Sequence, residues 1–281
     1  MSEQKHNILG MVEKMPAFPQ SVHRVIQLTT DINCDPKDLV RVIEHDPVLI
    51  LKILNLVNSA YFGLAQQITS INHAIIYIGV NTVKNLALGV ATVGILPKKN
   101  EAGFDMEAFL LHSLSTATIA KMFARKMKIP EKDSFDFFLS GLLHDFGKIV
   151  FAHFMPHEFH KALEMAKDNK MHLYDAENEI FGVNHTQIGS LLGEKWQLPS
   201  NVVEPLKGHH HSESNQSIMT SVVSAANRLS KELNMGYSGE NLIDKLPDDI
   251  IKIFGNDSGN IALALGDINA EIEKAMIFVK V

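Results

Sequence analysis

The sequence predicts an all-α protein, a two-lobed helical bundle. Three observations carry this. Asp35-Pro36 and Asp46-Pro47 each place a good N-cap directly before a proline at the first helical position. Apolar residues recur at helical spacing along most of the chain. Strand signals are sparse.

The first Asp-Pro pair opens a helix carrying Leu39, Val42 and Ile43. The second opens a helix through Leu49, Leu51, Ile53, Leu54 and Leu56, stopped by Asn58-Ser59 and Gly63. Ile71 to Ile78 reads as a short apolar helix broken by Gly79, and a longer helix follows from about Asn81 to Leu96. Pro97 to Ala102 is the best candidate boundary, which gives an N-terminal helical lobe over 1–100.

In the second lobe, 101–240, Phe109 to Met127 carries Leu110, Leu111, Leu114, Ala117, Ile119 and Phe123 at helical spacing. Phe135 to Phe154 is strongly apolar, and Pro156 opens a helix with a solvated face at Glu158, Lys161 and Glu164. Asp175 to Trp196 reads as one long helix with a break at Gly182. Pro199-Ser200-Asn201 starts a short segment, and Ser217 to Leu233 shows a stripe at Ile218, Val222, Ala225, Ala226 and Leu229. Two apolar stretches of the tail, Ile261 to Leu265 and Ile277 to Val281, lead us to expect that 241–281 docks back on the body.

Composition narrows the function. With 281 residues, 46% hydrophobic and 21% charged, the chain has enough apolar material for a core. Lys+Arg number 26 against 32 Asp+Glu, with no dense basic run, which argues against DNA as a partner. The single cysteine, Cys34, excludes an internal disulfide framework and a Cys-rich zinc site; a packed or surface thiol is expected. The N-terminus has charges inside its short apolar stretch, so no clean signal-peptide core forms. Ile53 to Val83 lacks charged residues, but Asn55, Asn58, Ser59, Gln66, Gln67, Ser70, Asn72 and His73 interrupt it. A membrane span needs about 20 predominantly apolar residues. No membrane partner and a cytoplasmic location are therefore expected.

Fourteen histidines are many, and their placement is the main signal. His144-Asp145 lies in Gly141-Leu-Leu-His-Asp-Phe-Gly-Lys148, delivered by an apolar helix and flanked by Phe146 and Ile149. Burying both without partners would cost about 1–3 kcal/mol each, more for a charge. A metal ion would partner both. The other His-Asp dipeptide, His45-Asp46, is better explained as a helix cap and its neighbour. His112 lies on an apolar helix, His185 lies beside Ile188, Leu191 and Leu192, and His209-His210-His211 follow a glycine at the mouth of a loop. Taken singly, His112 or His185 is an ordinary core residue and the triplet an exposed loop; the ordered set shifts that. Imidazole and carboxylate ligands suit Fe, Mn, Zn, Co or Ni. Lys148, one turn beyond, is either a solvated helix-end lysine or a group that neutralises a phosphate oxygen.

The order His112, His144-Asp145, His185, His209-His210 resembles the HD superfamily of metal-dependent phosphohydrolases, especially its HD-GYP branch. His185-Thr-Gln-Ile-Gly189 with Trp196-Gln-Leu-Pro199 is similar to that branch, but its Gly-Tyr-Pro segment is absent. The superfamily's final metal-binding Asp falls here on Asn227. The N-terminal half resembles the HDOD domain, the HD-related output domain of bacterial signalling proteins. The matching stretches are Met15-Pro-Ala-Phe-Pro19, Ile43-Glu-His-Asp-Pro47, Leu51 to Gly63 with its Asn-Ser-Ala-Tyr-Phe-Gly, and Ile68 to Gly79. With Ala226-Asn-Arg-Leu229 the resemblance covers roughly residues 10 to 235. It implies a helical, usually non-enzymatic signalling module that contacts a partner protein. It also implies one metal ion rather than two, held by Asp145, His185, His209 and His210, with His112, His144 and the weaker Asn227 as remnants of a second site. The alternative it implies is a metal-dependent phosphohydrolase acting on a nucleotide or cyclic dinucleotide.

Overall fold

The computed structural model describes residues 10–30, 35–97, 99–210 and 216–280; Cys34 and His211 lie outside the described residues. Every regular element among them is a helix. The first half holds α1 (10–14), α2 (Gln20–Thr30), α3 (Pro36–Glu44), α4 (Pro47–Val57), α5 (Ile71–Ile78) and α6 (Val80–Gly94). The Asp-Pro devices work as caps: Asp35 accepts from Lys37 N at 2.9 Å and Asp46 from Leu49 N at 3.0 Å. Taken together α5 and α6 have the length and hydropathy of a span, but they bend by 117° at Gly79. No single helix among the described residues is long and apolar enough to cross a membrane.

The second half holds α7 (Met106–Lys126), α8 (Glu131–Leu143), α9 (Gly147–Phe154), α10 (Pro156–Asn169), α11 (Leu173–Phe181), α12 (His185–Lys195), α13 (Ser200–Gly208) and α14 (Ile218–Glu232). Four short helices close the chain: α15 (Asp248–Phe254), α16 (Ser258–Leu265), α17 (Ile268–Ala275) and α18 (Ile277–Lys280). Two long stretches of the sequence are each divided between two helices, the second at its expected break. The apolar run 135–154 breaks into α8 and α9 at His144–Phe146. The run Asp175–Trp196 ends α11 at Gly182, and Asn184 then opens α12 in a reciprocal capping box with Gln187.

One core cluster takes Leu39, Val57 and Leu86 from the first half together with Phe109, Phe138, Phe146 and Leu206 from the second. A second packs Phe123, Val222 and Leu229 against Ile250, Ile261, Leu265 and Ile272. The motif residues link the halves. Asn58 brackets the backbone of Ile68 with two 2.7 Å hydrogen bonds, and Phe62 stacks on Phe135 with ring centroids 5.6 Å apart. Lys121 Nζ sits 3.7 Å from the Phe135 ring centroid and 4.6 Å from that of Tyr61. Trp196 donates to Pro16 O at 3.1 Å and packs on Phe18, docking the Met15–Pro19 stretch on the end of α12.

Candidate metal centre

Five of the six residues lie at or next to helix ends, and one lies in the middle of a helix. His112 comes from the middle of α7, and His144 and Asp145 from the turn between α8 and α9. His185 is the first residue of α12, and His209 caps the end of α13 with His210 next to it. Gly147 lets the α9 turn close on α12. A Cβ there would lie 1.9 Å from His185 O, so any side chain would push these elements apart. The side chains of all six residues are at most 1% exposed.

Asp145 is the hub. Its Oδ1 lies 3.3 Å from His185 Nε2 and 3.4 Å from His209 Nε2, and His185 Nε2 is 3.1 Å from His210 Nε2. Its Oδ2 lies 3.3 Å from His144 Nε2, 3.8 Å from His112 Nε2 and 2.7 Å from Lys148 Nζ. The six ligand candidates thus converge on one carboxylate and form two overlapping groups.

The outer ring nitrogens decide what the inner ones can do. His144 Nδ1 meets Gly141 O at 2.7 Å and His209 Nδ1 meets Pro205 O at 3.1 Å. A carbonyl only accepts, so both Nδ1 atoms carry the proton. His185 Nδ1 donates to Glu177 Oε2 at 2.6 Å, and His210 Nδ1 to Asp244 Oδ2 at 3.2 Å. Each neutral ring then turns its Nε2 lone pair inward. His185 and His210 meet lone pair to lone pair, and His209 Nε2 faces Asp145 Oδ1; neither of the latter atoms has a hydrogen-bond partner among the described residues. Such an arrangement calls for a proton or a cation at its centre. Fixing the tautomer from the outside is what second-layer partners do for metal-binding histidines.

Charge states agree with that donor set at His112, His209, His210 and Asp145, and run against it at His185. Burial pushes His209 down to about 3 and holds His112 and His210 well below the usual histidine range. Burial acts against the ionised Asp145, but His144 and Lys148 outweigh it and hold the carboxyl well below its ordinary value. For His185 burial opposes protonation, and Glu177 outweighs it, raising the ring's pKa.

Other expected residues fall as follows. Lys148 is fully buried, and its ammonium bonds Asp145 and Ser238 O, the latter at 3.0 Å. Asn227 is buried on α14, one turn before Ser230, whose hydroxyl lies 3.2 Å from His112 Nδ1; Asn227 Oδ1 has no partner among the described residues. His45-Asp46 lies apart from the cluster as the α4 cap. Sequence reasoning missed Glu177, Asp244 and Glu240. Glu177 sits among Asp175 and Glu179, where its charge reads as a solvated face. Its one signal is the eight-residue spacing to His185, which a chain turning back at Gly182 brings together.

An all-helical body that gathers five buried imidazoles around one aspartate defines a helical protein with a candidate metal centre. The chain belongs to the HDOD family, whose domain model matches residues 15–212. An HDOD domain protein from Geobacter sulfurreducens has a similar fold, with a TM-score of 0.71 at 22% identity over 98% of this chain and 96% of that one. So do a candidate phosphohydrolase from Shewanella amazonensis (0.71, 22%, 97% of each chain) and a candidate signal transduction protein from Marinobacter aquaeolei (0.74, 20%, 99% and 64%). An uncharacterized protein of Treponema pallidum is 24% identical over 251 residues, 88% of this chain. This chain spans 47% of that relative's length.

Proposed function

We propose that this chain is an HDOD signalling module whose buried centre holds one divalent transition ion, and that it acts through contact with a partner protein in the bacterial cytoplasm. One observation carries the reading. The Oδ1 side of Asp145 faces two imidazoles, His185 and His209, and has no hydrogen-bond partner among the described residues, whereas a lysine ammonium already lies on the Oδ2 side at 2.7 Å. Asp145, His185, His209 and His210 would hold the ion, whose Fe, Mn, Zn, Co or Ni identity the donor set leaves open. When bound, it would supply positive charge that ties the α8–α9 turn to α12 and α13. The closed, fully buried ligand set favours a structural ion, since catalytic sites keep an open position. The exposed part of the charge-free segment, Ile76 and Tyr77 on α5, would belong to the contact surface.

A second reading, a metal-dependent phosphohydrolase acting on nucleotides or cyclic dinucleotides, is favoured by one feature. His112 Nε2, His144 Nε2 and Asn227 Oδ1 also lack partners among the described residues, which is where a second ion would bind, with Lys148 near enough to serve a phosphate oxygen. Elemental analysis of the purified chain and a phosphodiesterase assay with added Mn or Fe separate the two. The first reading expects one ion per chain and no turnover. Turnover that disappears in Asp145→Ala would replace it with the second.

A further inference from the structure

The family match ends at residue 212, but the contacts of the centre do not. The segment 236–244, beyond α14, passes over the cluster and is pinned along its whole length. Tyr237 N donates to Ala108 O at 3.0 Å, Ser238 O accepts from Lys148, and Leu242 O accepts from Lys231 at 3.3 Å. Glu240 pairs with Lys231 at 2.7 Å and accepts from Leu173 N at 3.0 Å. Arg228 donates to Asp244 O at 2.8 Å. At Gly236, φ is +79° and a Cβ would lie 2.3 Å from Ala108 O and 2.4 Å from His112 N, so the strand of backbone runs against α7 where His112 emerges.

We propose that this segment is a strap that completes the metal centre, with Asp244 the positioning residue for His210. The proposal rests on the metal-binding reading above. Three of the inward-facing imidazoles have their outer nitrogen fixed from within the family region, by Gly141 O, Glu177 and Pro205 O. His210 is fixed from outside it, by Asp244 Oδ2. A carboxylate on Nδ1–H selects the tautomer that frees Nε2, holds the ring's orientation and raises its basicity toward an ion. The strap's other anchors keep Asp244 in place: its backbone is held by Arg228, and Lys231 and His172 approach its carboxylate at 3.8 Å.

The test uses the full chain loaded with Zn or Co and compares Asp244→Asn with the unaltered protein. The expected result is a loss of metal affinity of about 10- to 100-fold, faster release to a chelator and a shifted visible spectrum of the Co form. Asp244→Glu should restore part of the affinity, and the melting temperature of the metal-free chain should stay within a few degrees. A lower metal-free melting temperature with unchanged affinity would make Asp244 purely structural and overturn the proposal. Where Asp244→Asn does not fold, Arg228→Lys, which loosens the strap without touching a ligand, is expected to speed ion release by a smaller factor; unchanged release overturns the proposal. An unaltered chain that takes up no ion would instead remove the metal-binding reading, and the strap's role with it.

Discussion

Between residues 39 and 57 the buried side chains are Leu39, Val40, Ile43, Leu49, Ile53, Leu56 and Val57, and no charged side chain there is buried. Between 112 and 209 the interior holds, besides its apolar side chains, His112, His144, Asp145, Lys148, Glu177, His185 and His209. The first region needs only the hydrophobic effect, at roughly 25 cal/mol per Å² of apolar surface buried. The second buries groups whose desolvation costs free energy until a partner offsets it. The N-terminal half therefore serves as a frame, and the second half holds a centre whose donors are arranged for something that the chain does not itself provide.

The sharpest way to break this contrast is Asp145→Ala. It leaves Lys148 buried without its carboxylate and four imidazoles without a hub, and the expected loss is about 3–5 kcal/mol in urea unfolding together with all metal binding. A loss below about 1 kcal/mol would mean the cluster is not coupled to the fold. Ile53→Ala, in the aliphatic region, should cost about 2–5 kcal/mol, with ion stoichiometry unchanged. Loss of metal there would show that the halves are one energetic unit. Glu177→Gln keeps the shape but weakens the hold on His185; chelator competition should show affinity falling about 10- to 100-fold. Asp46→Ala removes a cap accepting from Leu49 N and should cost about 1 kcal/mol with no effect on the centre.

A further effect is read by changing the pH. Burial raises the Glu240 carboxyl, but His172 and Lys231 outweigh it and hold it down to about 2, against an ordinary glutamate value of 4.5. A depressed carboxyl contributes stability above its unfolded value and loses it as pH falls toward its folded one. Unfolding free energy should therefore drop between pH 4.5 and about 2, and Glu240→Gln should flatten that slope.

Much of the fold was legible because its signals are local. Asp35 and Asp46 announce helix starts, and Gly79 and Gly182 announce breaks, within a few residues. The His144–Phe146 turn was not legible as a turn. Leu142, Leu143, Phe146 and Ile149 are all buried and keep helical spacing through it, and the reason for the break lies at His185 O, 38 residues further on. At the site, histidine order revealed the inner ring because imidazoles are rare enough to stand out. Glu177 and Asp244 were hidden because carboxylates are common on helices and in polar tails, and only tertiary contact distinguishes these two. The dismissal of His45-Asp46 rested on a proline one residue on, which was sufficient.

The most direct test is to count metal ions per chain by elemental analysis, for the unaltered protein and for His185→Ala. The account predicts one divalent transition ion per chain, lost in the variant while the helical content is kept. An unaltered chain that stays metal-free after exposure to Fe, Mn, Zn, Co and Ni, or one whose ion survives the loss of His185, would contradict it.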